Sequence, residues 1–366
     1  MDFDELLREC LHQILNVSLD DNQWSQATLP VKSGGLGIRR AHQIAPSAYL
    51  ASASGVASLV SSILPIHLQG LADPSVDQAL AAWTTLGGLT PPSGSSAGSQ
   101  RAWDQEIVAN VTSQLLAAAP DDYTRARLLA VSSPHAGDWL NAPPITAIGL
   151  RMTNEAIRVA TGLRLGANLC MPHICRCGSQ VDARGSHGLS CVRSAGRHQR
   201  HSLVNDIVHR GLGRADVAAV KEPTGLLVGS TLRPDGTTLI PWTRGKCLAW
   251  DATTPDTLAA SHLPSTCNQA GAAASHASTL KDQKYSSLTP THHFVAIAIE
   301  TLGPWNAEGL DFVRELGRRI SLVTGDPRET AYLLQRVSVA VQMGNVASFA
   351  GSLPARGGGG QLDSDC

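Results

Sequence analysis

The segment from Cys175 to His201 limits what this chain can fold into more than any other feature. It reads CRCGSQVDARGSHGLSCVRSAGRHQRH, which is rich in Cys, His, Arg and Gly and poor in large apolar side chains. Such a composition offers too little apolar surface for a hydrophobic core of its own. The segment must be held together in another way or remain a surface loop.

Four side chains in this segment have a spacing that suits a metal ion. They follow the pattern C-x-C-x9-H-x3-C and are Cys175, Cys177, His187 and Cys191. Three thiolates and one imidazole can form a closed tetrahedral zinc site, and the nearby glycines permit tight turns. The pattern predicts a small structural zinc knuckle over residues 170–201. Further candidate ligands are Cys170, His173, His198 and His201. The alternative is a surface loop with reduced thiols.

Positive charge is concentrated in and after the same segment. The whole chain has a formal net charge of −1, whereas residues 176–221 carry a clear basic excess. A local excess of Arg and Lys is where a phosphate backbone can dock. We therefore predict nucleic-acid contacts from Arg193, Arg197 and Arg200. The alternative is the solvated basic start of a helix.

The part of the chain before the knuckle has helical patterns. DELLRECLHQIL has apolar residues at helical spacing, and a Gly34-Gly35 turn precedes a small-residue helix that Pro46 would open. Residues 84–100 have the Gly, Pro and Ser content of a flexible linker. They separate a helical segment, residues 1–83, from a helical connector, residues 101–169, with helices near 103–119 and 154–163.

The part after the knuckle mixes strands and helices. Short apolar strands lie in GLLVGSTLRPDGTTLIPW, RGKCLAWDATT and HHFVAIAIETLG, and an Ala/Ser-rich segment, residues 256–285, is expected to be helical in its second half. DPRE at 326–329 supplies an N-cap, a first-turn proline and an acid for a last helix. Residues 202–350 are thus predicted to form an α/β domain, followed by a disordered tail, residues 351–366. The fold class is mixed α+β.

Composition narrows the cellular setting. The first residues, MDFDE, lack the basic and apolar regions of a signal peptide, and the eight cysteines do not form the pattern of a secreted disulfide framework. No uninterrupted apolar run reaches about 18 residues, the length of a membrane span. We expect an intracellular protein with no membrane partner.

Two aspartates mark a second candidate metal site. Asp235 in RPDG and Asp251 in AWDATT each end a predicted strand, and Glu222 near the end of the preceding helix could be a third acid. Paired carboxylates suit Mg²⁺, which can activate water and neutralise charge on a phosphodiester. A cation that stabilises the transition state could come from the predicted helix that carries Lys281, Lys284 and Tyr285. The alternatives are a turn or capping role for each Asp and a solvated helical face for the lysines.

These features in this order resemble the C-terminal region of non-LTR retrotransposon proteins that carry a restriction-like endonuclease. The resemblance rests on LPVKSGGLGIRRAHQIAPSAYLAS, which looks like the segment after a reverse transcriptase palm, on the Cys/His knuckle and on RPDG…WD. It implies a PD-(D/E)-x-K-like α/β nuclease domain, with Asp235 as the Asp of the PD motif and Asp251 as the second acid. It also implies a structural zinc ion, a catalytic Mg²⁺, DNA and possibly element RNA as partners, and a nuclear location.

The chain departs from the family pattern at two places. Thr253 stands two residues after Asp251, where the general pattern has Lys, and in the retroelement nucleases the lysine is similarly displaced onto the next helix, so Lys281 or Lys284 takes that role. A reverse transcriptase needs adjacent metal-binding aspartates, usually in a Tyr-x-Asp-Asp stretch, and Asp20-Asp21 and Asp121-Asp122 lack that setting. We expect no polymerase activity, and upstream reverse transcriptase domains would be missing partners.

Three functional hypotheses follow from the sequence. The first is a Mg²⁺-dependent DNA endonuclease that nicks a target. The second is a nucleic-acid-binding module with a catalytically silent α/β domain, and the third is a retroelement relic without function. The first requires Asp235 and Asp251 to converge within about 5 Å, with a lysine beside them.

Overall fold

The protein has a mixed α+β fold in a computed structural model that describes residues 2–68, 73–226 and 233–354. The helices are α1 Phe3–Leu15, α2 Asp21–Ala27, α3 Ala41–Ile63, α4 Pro74–Thr85, α5 Gln100–Ala117, α6 Asp122–Val131, α7 Asn154–Leu165, α8 His187–Ser190, α9 Ala195–Arg214, α10 Leu263–Thr266, α11 Ala272–Lys284, α12 Ala307–Thr324 and α13 Glu329–Ser352. The strands are β1 His173–Ile174, β2 Gln180–Val181, β3 Ala219–Lys221, β4 Gly236–Thr243, β5 Lys246–Thr253 and β6 His292–Ala298.

The predicted helix in DELLRECLHQIL is confirmed as α1. Its apolar face buries Leu11 and Leu15 in a core that also contains Trp24 and, from the last helix, Phe349. Apolar residues three and four apart lie on one face of a helix, which is why the pattern could be recognised locally. Helices from the two ends of the described chain therefore share one core.

Helix α3 begins earlier than predicted. It starts at Ala41, so Pro46 lies inside the helix and does not open it. The carboxylate of Asp4 in α1 accepts hydrogen bonds from the backbone N–H groups of Ala41 (2.8 Å) and His42 (3.4 Å). This long-range cap satisfies donors that would otherwise favour a later start.

Helix α3 is also long and apolar enough to cross a membrane by length and composition, although a single such helix is weak evidence. In the structure it packs against α4 and α5. Between those two helices, the predicted linker makes specific contacts: the N–H groups of Leu89 and Thr90 donate to Glu106, and the indole of Trp103 donates to the Ala97 carbonyl. The division of the chain at residues 84–100 stays a prediction.

The larger sheet has the order β3-β4-β5-β6. The β3–β4 and β4–β5 pairs are antiparallel, whereas β5 and β6 are parallel and α10 and α11 lie between them in the chain. A parallel pair requires such a crossover, which places α11 against β6. Strand β5 is almost wholly buried, because its two faces pack in different cores: Leu248 and Trp250 lie in one and Ala249 in the other. The predicted strands and the predicted helix in the second half of residues 256–285 are confirmed within the described part of this region; residues 227–232 lie outside it.

Helix α13 connects the sheet to the rest of the fold. It packs on α9, α12, α7 and α8, and the close crossing with α9 depends on Gly196 and Gly344, where an added Cβ would lie 2.4 Å or less from atoms of the other helix. The helix begins at Glu329, so the predicted N-cap at Asp326 lies too early, although its carboxylate does accept the Arg328 N–H at 2.9 Å. Because α13 continues to Ser352, the predicted tail begins inside a helix. Residues 355–366 of that tail lie outside the described chain.

Candidate metal centres

The Cys/His segment folds as a short hairpin followed by the short helix α8. Strands β1 and β2 pair across a turn in which the Cys175 N–H donates to the Ser179 carbonyl (2.9 Å) and the Gly178 N–H donates to the Cys175 carbonyl (2.8 Å). Gly178 has a φ of 92°, a left-handed conformation that side chains disfavour. The turn brings the two cysteines of the C-x-C motif to one side of the hairpin.

The predicted ligands meet in space. His187 begins α8 and Cys191 follows its end, and one ligand atom from each of Cys175, Cys177, His187 and Cys191 lies within 4.8 Å of the others. The Sγ atoms of Cys175 and Cys191 are 3.7 Å apart, and Cys177 Sγ is 3.2 Å from His187 Nε2. A tetrahedral zinc ion with Zn–S bonds of about 2.3 Å would separate two sulfurs by about 3.8 Å. The four residues can therefore hold a metal such as zinc.

The thiols of this cluster differ in acidity. Hydrogen bonds from Ser179 lower the pKa of Cys177 to about 6, with smaller contributions from Cys175 and His187. Burial raises the pKa of Cys191. Metals bind thiolates, so a cation at this position would favour the deprotonated form of both residues.

The Cys/His segment packs against α13, although its own composition offers little apolar surface. Leu189 of α8 is fully buried against Phe349 of α13, and an added Cβ at Gly188 would lie 2.6 Å from the Ser348 carbonyl oxygen. His173 Nε2 is 2.9 Å from the Ser352 carbonyl oxygen, so this candidate ligand contacts α13. The apolar surface that the segment lacks is supplied by another part of the chain.

The three arginines predicted to contact nucleic acid differ in their exposure to solvent. Arg193 and Arg197 are exposed. Arg200 is only 1% exposed, and its guanidinium donates to Asn345 (3.1 Å), Ser348 (3.0 Å) and the Leu189 carbonyl (2.8 Å). The prediction for Arg200 is corrected, because its donors already join α8 and α9 to α13.

The second centre lies at β4 and β5. In the register of this pair, Gly236 is opposite Trp250, so Asp235 comes beside Asp251. An added Cβ at Gly236 would lie 2.1 Å from the Trp250 ring, which explains the glycine in RPDG. Asp235 Oδ2 accepts the Ala252 N–H at 2.6 Å, and the Asp251 side chain is only 5% exposed. Strand pairing thus produces the predicted convergence of the two carboxylates.

His201 joins this pair of acids. Its Nε2 is 2.9 Å from Asp235 Oδ2, and one ligand atom from each of His201, Asp235 and Asp251 lies within 4.8 Å of the others. The hydrogen bond with Asp235 is the largest cause of the raised pKa of His201. Sequence reasoning placed His201 among the zinc candidates. No sequence pattern indicates this placement, because it depends on how α9 packs against the sheet, where Asn205, four residues later on the same face of α9, accepts from Trp250 Nε1 at 2.8 Å.

Helix α11 brings its predicted residues to Asp251. Lys281 Nζ is 2.5 Å from Asp251 Oδ1, and the Tyr285 hydroxyl is 2.6 Å from Asp251 Oδ2. Lys284 Nζ contacts the Tyr285 hydroxyl at 3.0 Å and lies over its ring. The structure therefore distinguishes the two lysines: Lys281 contacts the carboxylate, and Lys284 contacts the tyrosine. Burial, and next the Asp251 hydrogen bond, raise the pKa of Tyr285, so its hydroxyl stays protonated.

Glu222 is placed differently from the prediction. It follows strand β3 and not a helix end, and its carboxylate contacts Arg233 at 2.7 Å with 62% of the side chain exposed. Its backbone N–H donates to the Asp235 carbonyl at 2.8 Å. The backbone of Glu222 therefore holds the turn that carries Asp235. Its carboxylate does not lie with those of Asp235 and Asp251 in the candidate metal site.

The arrangement at β4 and β5 is chemically suited to a hard divalent cation. Asp251 Oδ1 is buried and receives no hydrogen bond from the described residues, although it faces Lys281 as an ion pair. Two carboxylates with an imidazole nearby are a suitable donor set for such an ion. No model of a known protein family matches the chain, and no curated protein is similar to it in sequence.

Proposed function

We propose that the module formed by α9, β3–β6 and α11 is a divalent-metal-dependent DNA endonuclease. The observation that carries the proposal is the convergence of ligand atoms from Asp235, Asp251 and His201 within 4.8 Å, with Lys281 in contact with Asp251. The order of elements, a helix, three antiparallel strands, a helix and a parallel strand, supports a restriction-like nuclease fold. The resemblance of RPDG…WD to retrotransposon nucleases supports the same proposal.

Each residue has a separate role in the proposed reaction. Asp235 and Asp251 would hold Mg²⁺, with His201 as a third candidate ligand. When bound, the cation would neutralise charge on the scissile phosphate and lower the pKa of a water molecule. Lys281 supplies positive charge where negative charge develops on the phosphate oxygens, and Tyr285 holds the Asp251 carboxylate in position.

The nucleic-acid surface proposed for this centre begins on α9. Arg197 is exposed and lies four residues before His201, so the two residues share a face of the helix. A DNA phosphate held by Arg197 would therefore lie beside the two aspartates. We also propose that the Cys/His cluster is a zinc knuckle that displays Arg193, and that the chain derives from a non-LTR retrotransposon protein acting in the nucleus on DNA and possibly element RNA.

A catalytically silent binding module is the second candidate function. Lys281 and Tyr285 already contact both oxygens of Asp251, and Thr253 occupies the position of the usual lysine. If these contacts keep the cation out, the exposed arginines would still bind nucleic acid. A relic without function would show neither activity.

Nicking of supercoiled plasmid by the zinc-loaded full chain with Mg²⁺ tests the proposal. We expect cleavage by the wild type and none by Asp235→Ala. Asp311→Ala is the matched control, because the Asp311 side chain is 74% exposed on α12 and its carboxylate pairs with Arg314 of the same helix, away from the two aspartates. Absence of cleavage by folded wild type, with plasmid binding retained, would favour the binding module.

A further inference from the structure

A small cavity is lined by residues that belong to neither candidate metal centre. It has a volume of about 110 Å³ and is bordered by the first turns of α2 and α6 and by Gly166, which follows α7. Two arginines from distant parts of the sequence line it, Arg127 from α6 and Arg184 from the loop before α8. A cavity with two converging guanidinium groups is chemically suited to an anion.

Arg127 is a buried cation with unused hydrogen-bond donors. It is 4% exposed, and only its Nη1 donates, to Gln26 Oε1 at 2.7 Å and to the Arg164 carbonyl at 2.5 Å. Nε and Nη2 donate to no acceptor in the part of the chain that the structure describes, and no described carboxylate lies within 4.0 Å. Burial lowers the pKa of Arg127 to about 10, so the side chain remains charged at neutral pH.

The neighbouring Arg164 shows how a buried arginine in this fold can be satisfied by the protein alone. Its Nε, Nη1 and Nη2 donate to the carbonyls of Gly35 (3.2 Å), Ala136 (3.2 Å) and Val31 (2.7 Å). Arg127 has no such set, and its guanidinium faces Gly166, where an added Cβ would lie 2.6 Å from Nε. A buried charge without matching acceptors is costly, and a bound anion would supply them.

Arg184 places a second guanidinium at the same cavity. It lies over the Tyr123 ring at 4.6 Å, and its one ion-pair contact among the described residues is a long one, 3.8 Å to Asp121. Its side chain is 32% exposed. Stacking on an aromatic ring holds the planar group in position and leaves its N–H edges available.

The acidic groups near the cavity are already engaged. Asp20, which lines the cavity, accepts the Gln23 N–H at 2.8 Å as the N-cap of α2. Asp121 accepts the Thr124 N–H at 2.7 Å as the N-cap of α6, and a hydrogen bond from the Thr124 side chain is the largest contribution to its lowered pKa. Both carboxylates therefore interact with helix N-termini, which compensates part of their negative charge.

We propose that this cavity binds a phosphate group through Arg127 and Arg184. Pockets for drug-sized ligands begin at roughly 300 Å³, so the cavity accepts one small group and not a whole nucleotide. A tetrahedral oxyanion suits this arrangement, because separate oxygens can accept from Nε and Nη2 of Arg127 and from the free edge of Arg184. It comes either from a nucleic-acid backbone or from free phosphate. This site is independent of the proposed nuclease chemistry.

Thermal unfolding of the zinc-loaded full chain without Mg²⁺ tests the proposal. We expect sodium phosphate to raise the Tm above the value in sodium chloride of equal ionic strength, because a ligand that binds only the folded state stabilises it. Arg184→Gln should weaken phosphate affinity by about tenfold or more, because it removes the charged donor group. Arg318→Gln, at an exposed ion pair on α12, is the matched control and should respond as the wild type.

A short oligothymidylate distinguishes the two sources. If Arg184→Gln weakens binding of the oligonucleotide and of phosphate together, the group is a backbone phosphate; if it weakens only phosphate, the ligand is the free oxyanion. Arg127→Met, verified as folded by circular dichroism, should reproduce the loss. A wild type that responds equally to phosphate and chloride, or an Arg184→Gln protein that binds phosphate as the wild type does, would overturn the proposal.

Discussion

At the residue scale, contacts between helices and the sheet assign roles that the type of side chain leaves open. Lys281 and Lys284 are both on α11, three residues apart, and both were candidates for the displaced lysine. Only Lys281 contacts Asp251, whereas Lys284 contacts the Tyr285 hydroxyl. In the same way, His201 lies at Asp235 and not at the cysteine cluster.

Replacing Lys281 by Met should strongly slow the proposed metal-dependent nicking, because it removes the cation beside Asp251. We expect a loss of about a hundredfold or more, the usual effect of removing a group that stabilises transition-state charge. Lys284→Met is the matched variant and should retain most activity. Equal losses in the two variants would show that the contact with Asp251 does not select the lysine.

Replacing His201 by Gln should weaken metal binding by roughly tenfold or more, the scale seen when groups around a metal are removed. Titration of the protein with Mn²⁺, followed by electron paramagnetic resonance, measures this affinity. His198→Gln is the control, because His198 is exposed on the same helix. Unchanged Mn²⁺ affinity in His201→Gln would remove His201 from the ligand set.

At the element scale, side chains on α12 join that helix to the sheet. Glu315 pairs with Arg318 (2.7 Å) and Arg319 (2.8 Å), three and four residues later. The Arg319 guanidinium in turn lies 3.6 Å from the centre of the Trp242 ring on β4 and donates to the Trp242 carbonyl. The ion pairs of one helix thus hold a side chain that packs on a strand.

The Glu315 pairs should make stability depend on pH in acid. The hydrogen bond from Arg318 is the largest contribution that lowers the pKa of Glu315 to about 2, below the value of about 4.3 in an unfolded chain. The folded carboxylate therefore stabilises the protein above about pH 4.3, and this contribution is lost as the pH falls toward 2.

Glu315→Gln should lower the free energy of unfolding at pH 7 by about 0.5–1 kcal/mol, a modest figure because the pairs are partly exposed and screened by salt. Urea unfolding at several pH values measures the difference, which should disappear near pH 2 and shrink in high salt. Asp311→Asn, at a single exposed pair of the same helix, should have a smaller effect. A difference that persists unchanged near pH 2 would contradict this account.

At the scale of the whole molecule, one helix connects the two candidate metal centres. Helix α9 begins four residues after Cys191 and carries His201 at the second centre. Arg200, next to His201, donates to the Leu189 carbonyl inside α8 and to two side chains of α13. Loss of metal at the cysteine cluster should therefore loosen α8 and the start of α9 while α13 keeps the rest folded.

Replacing Cys177 by Ser should release zinc, because a closed structural site needs all four ligands. Metal analysis and the absorption of a Co²⁺-substituted sample measure occupancy, and hydrogen exchange shows which helices loosen. Cys10→Ser is the matched control, since Cys10 is exposed in α1 and outside the cluster. Stoichiometric zinc in Cys177→Ser would remove Cys177 from the ligand set.

Much of the fold and part of the site could be predicted because their signals are local. The face of α1, the strand around Asp251 and the C-x-C-x9-H-x3-C ligands depend on spacings that one helix, strand or short loop determines. The start of α3 was mispredicted because its cap, Asp4, is remote in sequence. Arg200 was mispredicted because its acceptors lie on α13, far along the chain.

Residue types and their spacing indicate which chemistry this protein can carry: a thiolate and imidazole set, a PD turn, and an acid on a buried strand. Which of these groups meet depends on contacts between distant segments. The β4–β5 register brought Asp235 to Asp251, the α11 crossover selected Lys281, and the packing of α9 added His201. The physical reason is that local patterns follow the period of one element, whereas these contacts require strand pairing and helix packing between distant segments.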